Sequence, residues 1–126
     1  MLNNILSILK SDNELSSLLG ATVKDSHIYM NKGKTDTCIS YKYSLISSDG
    51  IKAQSKLEIN CVSTDYGKAE NMLNRVKQLF ITVGDNQLNN DILDVALNGG
   101  GNLFIEETEQ HIIKAYFIFT IRERMM

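Results

Sequence analysis

The chain is poor in the residues that most often announce a mechanism. It holds two cysteines, two histidines, no tryptophan and no proline among its 126 residues. Two cysteines are too few for a disulfide scaffold. His27 and His111 have no second ligand at metal-site spacing, and no Cys-x-x-Cys occurs. A basic excess is also missing: 13 Lys and Arg stand against 15 Asp and Glu, for a formal charge of −2. Proteins that grip nucleic acid through phosphates usually carry a clear basic excess, so sequence-specific or tight DNA binding is not expected. No hydrophobic run reaches the ~20 residues of a membrane helix, and no membrane partner is expected. At the N-terminus Asn3, Asn4 and Ser7 interrupt the apolar residues and no cation precedes them. A secretory leader needs both features, so the expected place of synthesis and residence is a cytoplasm.

What is present is an ordinary globular composition, with 43% hydrophobic and 22% charged residues. A chain of this length suits one domain spanning 1–126. Folding buries roughly two-thirds of the surface of such a chain.

Leu2, Ile5, Leu6 and Leu9 fall on one face of a short helix. Ser11 and Glu14 have capping-box spacing before Leu15, Leu18 and Leu19, and Gly20 is a stop. The pattern predicts two helical pieces, about 2–10 and 12–19. A short strand is expected at 27–30 and a polar loop at 31–36. Residues 37–47 and 51–62 alternate, with Ile39, Tyr41, Tyr43 and Leu45 on one face and Ile51, Ala53, Leu57, Ile59 and Cys61 on the other strand's matching face.

The hydrophobic pattern also constrains their pairing. A two-residue Asp49-Gly50 loop sets Lys42 against Leu57 and Ser40 against Ile59, which splits the apolar face. A three-residue loop, Ser48-Asp49-Gly50, sets Ser47 against Ile51, Leu45 against Ala53, Tyr41 against Leu57 and Ile39 against Ile59. A one-residue slip flips every side chain, so the second register is expected, with Gly50 left-handed. Cys61 then faces Thr37 and Cys38 faces Asn60, on opposite sides of the sheet. No disulfide between them is expected.

Ser63, Thr64 and Asp65 offer N-caps for a long helix to about Ile81, with Tyr66, Ala69, Leu73, Val76 and Phe80 on its apolar face. After Gly84-Asp85-Asn86 the pattern turns to strand again at 92–97. Asn98-Gly99-Gly100-Gly101-Asn102 reads as a flexible turn, followed by strands at 103–107 and from Ile113 to Ile121. The predicted class is α+β: a mostly antiparallel sheet of about five strands packed against one long helix, with a short N-terminal helical segment.

No reaction is announced. Gly33-Lys34-Thr35 resembles the end of a phosphate loop, but Ile28 stands where its first glycine belongs and a strand follows instead of a helix. The glycines at 99–101 lack the strand–glycine–helix context of a dinucleotide site. Asp49 and Glu58 come closest to a nuclease-type carboxylate pair, but Asn60 replaces the expected lysine. His111 lies near Glu106, Glu107 and Glu109, an acidic hairpin tip. No Gly-x-Ser-x-Gly elbow occurs. The chain is not expected to be an enzyme, and no metal or other cofactor is expected.

The order of elements carries more information. A helix with a Leu-Leu-Gly stop precedes a strand at His27-Ile28-Tyr29 and another containing Cys38-Ile39-Ser40-Tyr41. A hairpin returns through Leu57-Glu58-Ile59-Asn60-Cys61, and Thr64-Asp65-Tyr66-Gly67-Lys68-Ala69 opens the long helix. This arrangement resembles the tail terminator, or tail completion, family of tailed bacteriophages and contractile tail-like particles. Its most specific part is the strand-to-helix junction at 57–76. Many members have prolines before the second strand, where this chain has Gly33-Lys34-Thr35-Asp36-Thr37. The resemblance implies a structural virion protein, assembled in the host cytoplasm, that forms a ring, usually six-fold, at the head-proximal end of a tail tube. Implied partners are further copies of itself, the tube protein, the sheath and the head connector. Another small connector or tube component is the alternative, and a metal-dependent hydrolase a more distant one. The polar segments expected at interfaces contain Lys32, Lys34, Asn98, Gly99, Gly100, Gly101, Glu107 and Glu109.

Overall fold

The computed structural model describes residues 2–22, 25–31, 37–48, 50, 52–81 and 92–122. It is an α+β fold with the element order α1 (Leu2–Lys10), α2 (Asn13–Leu19), β1 (Ile28–Met30), β2 (Cys38–Ser48), β3 (Lys52–Ser63), α3 (Tyr66–Phe80), β4 (Ile92–Ile105) and β5 (Gln110–Arg122). The five strands form one sheet in the order β1-β2-β3-β5-β4. Only the β1–β2 pair is parallel.

The helices begin and end where local chemistry dictates. Asp12, not Ser11, caps α2: its Oδ2 accepts the Leu15 N–H at 2.9 Å. Ser11 instead donates its hydroxyl back to the Ser7 carbonyl of α1. Gly20 closes α2 in the left-handed region, where its missing Cβ removes the steric penalty. Asp65 caps α3 by accepting the N–H groups of Gly67 and Lys68. Ala69, Met72, Leu73, Val76 and Phe80 are buried from α3, as the periodicity predicts. Tyr66, at its first turn, is largely exposed.

α3 packs on β3 and β5, and α1 and α2 pack on α3. The core between them is apolar. Phe80 stands edge-on to both Phe117 and Phe119, each at 5.2 Å between ring centres. Leu57, Ile59, Ile5, Leu9 and Leu15 fill the space around them and are fully buried. Burying an aromatic side chain of this kind stabilises by roughly 1.5–3 kcal/mol relative to leaving it in water.

From Cys38 to Leu45 the β2–β3 register differs from the expected one by two residues, and at Ser47 and Ser48 by three. Tyr41 lies opposite Ile59 and Ile39 opposite Cys61, with a shift between Leu45 and Ser47 that leaves Ile46 unpaired. A slip of two preserves which side chains share a face, so alternation alone does not detect it. Gly50 has the expected positive φ of 85°. Ile51 and Asp49 lie outside the described residues. Leu45, expected inward, is exposed near the hairpin end. Cys38 now faces Val62, and Cys61 faces Ile39. Both thiols are buried, on opposite sides of the sheet, and no disulfide joins them. Burial pushes the Cys61 thiol far up from its ordinary pKa.

The glycine run is not a turn. β4 continues through it as one strand, and 103–105 belongs to the same strand. The pairing shifts between Leu97 and Gly100, which sets Asn98 and Gly99 together against Tyr116. Gly99 has φ +90°, a bulge conformation that glycine adopts without strain. The segment around Gly84-Asp85-Asn86 lies outside the described residues.

Candidate interaction surface

The sheet has two unlike faces. One is covered by the helices. The other carries the alternate residues of β2, β3 and β5, and it holds a hollow of about 480 Å³. Ser40, Lys42, Glu58, Asn60 and Lys114 lie in it, with Val62, Leu103, Ile105 and Ile112 as apolar walls. The register explains this grouping. Lys42 stands opposite Glu58, and Asn60 stands opposite Lys114.

The polar groups of the hollow are linked. Asn60 donates from Nδ2 to Glu58 Oε2 at 3.1 Å. Lys114 Nζ lies 3.7 Å from Glu58 Oε1. Burial opposes the charged form of Glu58. The Asn60 amide, the Lys114 and Lys42 charges and Tyr116 outweigh it, and hold the carboxyl below the usual carboxylate range. Asn60 is 8% exposed, and its Oδ1 has no hydrogen-bond partner. Glu58, the acid the sequence offered for metal chemistry, is therefore committed to an amide and an ammonium group. Among the described residues no three His, Cys, Asp or Glu side chains converge to hold a metal.

A second surface lies at the turn end of the β4–β5 hairpin. His111 packs against Tyr66 at 5.4 Å and Phe104 at 4.7 Å between ring centres. Asn102 Nδ2 donates to the Tyr66 hydroxyl at 3.3 Å. Phe104 is 48% exposed and Leu103, on the other face, 60%. Both belong to β4, which pairs with β5 and stands at the margin of the sheet. An edge strand with exposed apolar side chains is a ready template for another chain unless something covers it.

The residues singled out in the sequence distribute unevenly over these surfaces. Asn98 and Gly99 form the bulge, and Gly100 lies tight against β5. Gly101 reaches the rim of the hollow. Glu107 and Glu109 are exposed in the turn 106–109. Lys32 and Lys34 lie outside the described residues, as does the rest of the Gly33-Lys34-Thr35 loop. Sequence reasoning missed the hollow and the Tyr66–His111–Phe104 group. Ser40, Lys42, Glu58 and Asn60 read as an outward polar face; only long-range pairing places Lys114 and Leu103 beside them. No helix among the described residues is long and apolar enough to cross a membrane.

No protein-family model matches the sequence, and the comparison with curated proteins finds no match. Among solved structures, the fold matches a chain from the virion of a native gene transfer agent particle. The TM-score is 0.71 at 14% identity, over 94% of this chain and 91% of that one. At that identity the likeness is one of fold, and it extends over nearly the whole of both chains.

Proposed function

We propose that the protein is a structural component of a phage-like particle, and specifically the ring that caps the head-proximal end of a tail tube. In this role it ends tube polymerisation and offers a surface to the head connector or the sheath. It works by occupying a position, not by turnover. Its partners are further copies of itself in a ring, with six the expected number, and the tube protein beneath.

The observation that carries this reading is the fold shared over nearly the full length with a chain of a gene transfer agent virion. The resemblance of the 57–76 junction to tail terminators points the same way. The physical features are compatible with assembly. The exposed margin of β4, with Leu97, Leu103 and Phe104, is a surface that a neighbouring subunit can cover. A heterologous contact of this kind closes into a ring when its rotation closes.

The same fold also supports a second reading, another small connector or tube component. Position separates the two. Electron microscopy of isolated tails carrying a label on this chain is expected to show one ring at the head-proximal end. Deleting the gene is expected to give tubes of uncontrolled length or tails that fail to join heads. Label along the tube favours the second reading. Label at the distal tip, or normal tails in the deletion strain, overturns the cap.

A further inference from the structure

We infer that the hollow on the open face of the sheet receives the turn 106–109 of a second copy of this chain. The inference deepens the proposed ring and rests on it, because it names one contact between neighbouring subunits.

The hollow states what it needs. Asn60 has its Nδ2 occupied by Glu58, while its buried Oδ1 lacks a donor. The opposite assignment of the amide would set two acceptors against each other, so the unsatisfied atom is the oxygen. An unpartnered buried acceptor is unfavourable, and it selects an occupant that brings an N–H or O–H group. Lys42 and Lys114 together outweigh Glu58 by one positive charge, and the 3.7 Å separation of Lys114 from Glu58 is too long for a strong hydrogen bond. The walls, Leu103 and Ile105 among them, are apolar. A fitting occupant is therefore acidic and brings a donor.

The turn 106–109 meets that description. Glu106, Glu107 and Glu109 are exposed, and Thr108 between them adds a hydroxyl. A bond from the Glu109 N–H to the Glu106 carbonyl closes the turn. The turn does not reach the hollow of its own subunit. Ile105 and Gln110, the residues flanking the turn, stand at the rim, but none of the residues 106–109 lines the hollow. The contact must come from another copy. Turn and hollow adjoin at Ile105 and Gln110 but share no residue, so each subunit can give one and receive one, as a ring requires.

The test is a charge swap in the full chain, read as ring occupancy on purified tails. Lys42→Glu with Lys114→Glu reverses the hollow; Glu107→Lys with Glu109→Lys reverses the turn. Each pair alone is expected to lower occupancy more than tenfold, and all four together to return it to within about threefold of the parent. The turn variant guards against misfolding, since its side chains are solvent-exposed, and thermal unfolding of each variant is measured alongside. If the turn variant assembles like the parent, the contact is overturned and the ring stands. Loss with the hollow variant alone also overturns it, and assigns the hollow to an acidic segment of another protein. If the parent forms only dimers that respond to both reversals and to the rescue, the contact is supported and the ring reading fails. If the parent never assembles, both fail.

Discussion

Arg75 of α3 grips Asp12 with two nitrogens, Nε at 2.9 Å and Nη2 at 2.7 Å, while Asp12 caps α2. One carboxylate thus starts one helix and ties it to another. Glu14 adds a further oxygen 3.2 Å from Arg75 Nε. Replacing Asp12 by Ala removes the cap and is expected to cost about 1 kcal/mol from that alone. Asp12→Asn retains a capping acceptor and is expected to cost less. Chemical denaturation of the two variants checks the order.

The same pair gives a pH dependence. The Arg75 hydrogen bonds, against the cost of burial, hold the Asp12 carboxyl below its ordinary value of 3.8. A carboxyl lowered on folding contributes stability that is present above its unfolded value. That contribution is lost as pH falls through the lower folded value. Stability is therefore expected to drop as pH falls below about 4, with a shallower drop in Asp12→Asn. Unfolding curves between neutral and acidic pH measure the difference.

Gly100 is held by contact, not by flexibility. A Cβ built there falls 2.3 Å from the Lys114 carbonyl oxygen and 3.3 Å from the Ala115 Cα. Any side chain must push β4 away from β5. Gly100→Val is expected to destabilise the fold by about 1–3 kcal/mol, whereas Gly101, with open space around its missing Cβ, tolerates Ala. Comparing the melting temperatures of the two single variants tests this. The sequence alone suggests otherwise, a flexible turn in a segment expected at an interface.

Ser55 is a core position with the wrong chemistry. It is fully buried opposite Phe119, and its hydroxyl has no partner. Ser55→Ala is expected to raise stability by about 1 kcal/mol, since the desolvated hydroxyl is removed at little change in volume. A lowered denaturation midpoint would show that the hydroxyl is satisfied.

The parts of the fold that were legible in the sequence are those written in local period. Leu2, Ile5 and Leu9, and then Ala69, Leu73, Val76 and Phe80, repeat at helical spacing, and the helices follow them. Alternation in β2 and β3 revealed which residues face the core at Ile39, Tyr41, Ala53, Leu57, Ile59 and Cys61, though not at Leu45, and it did not reveal their partners. From Cys38 to Leu45 a slip of two leaves the faces as they were, and the bulge at Ile46 then shifts the pairing by one more residue, so that Ser48 and not Leu45 stands opposite the buried Ala53. The glycine run misled for a related reason. Three consecutive glycines resemble a turn, yet β5 offers an unbroken template, and the Asn98–Gly99 bulge absorbs the extra residue. The hollow was invisible because Asn60, Leu103 and Lys114 meet only through pairings between distant segments.

The pairing of β3 with β5 also governs when the molecule can exist. Two hairpins, β2–β3 and β4–β5, are each local, but the core closes only when residues 52–63 meet residues 111–122 across the intervening helix and strand. Contacts so far apart in the chain are slow to form, because loop closure comes before any gain from burial. During synthesis α3 has no second strand to cover until β5 has left the ribosome. Before then Phe80 lacks both of its aromatic neighbours. A chain halted before β5 therefore has neither the strand that completes the sheet nor the rings against which Phe80 packs, and its core stays open.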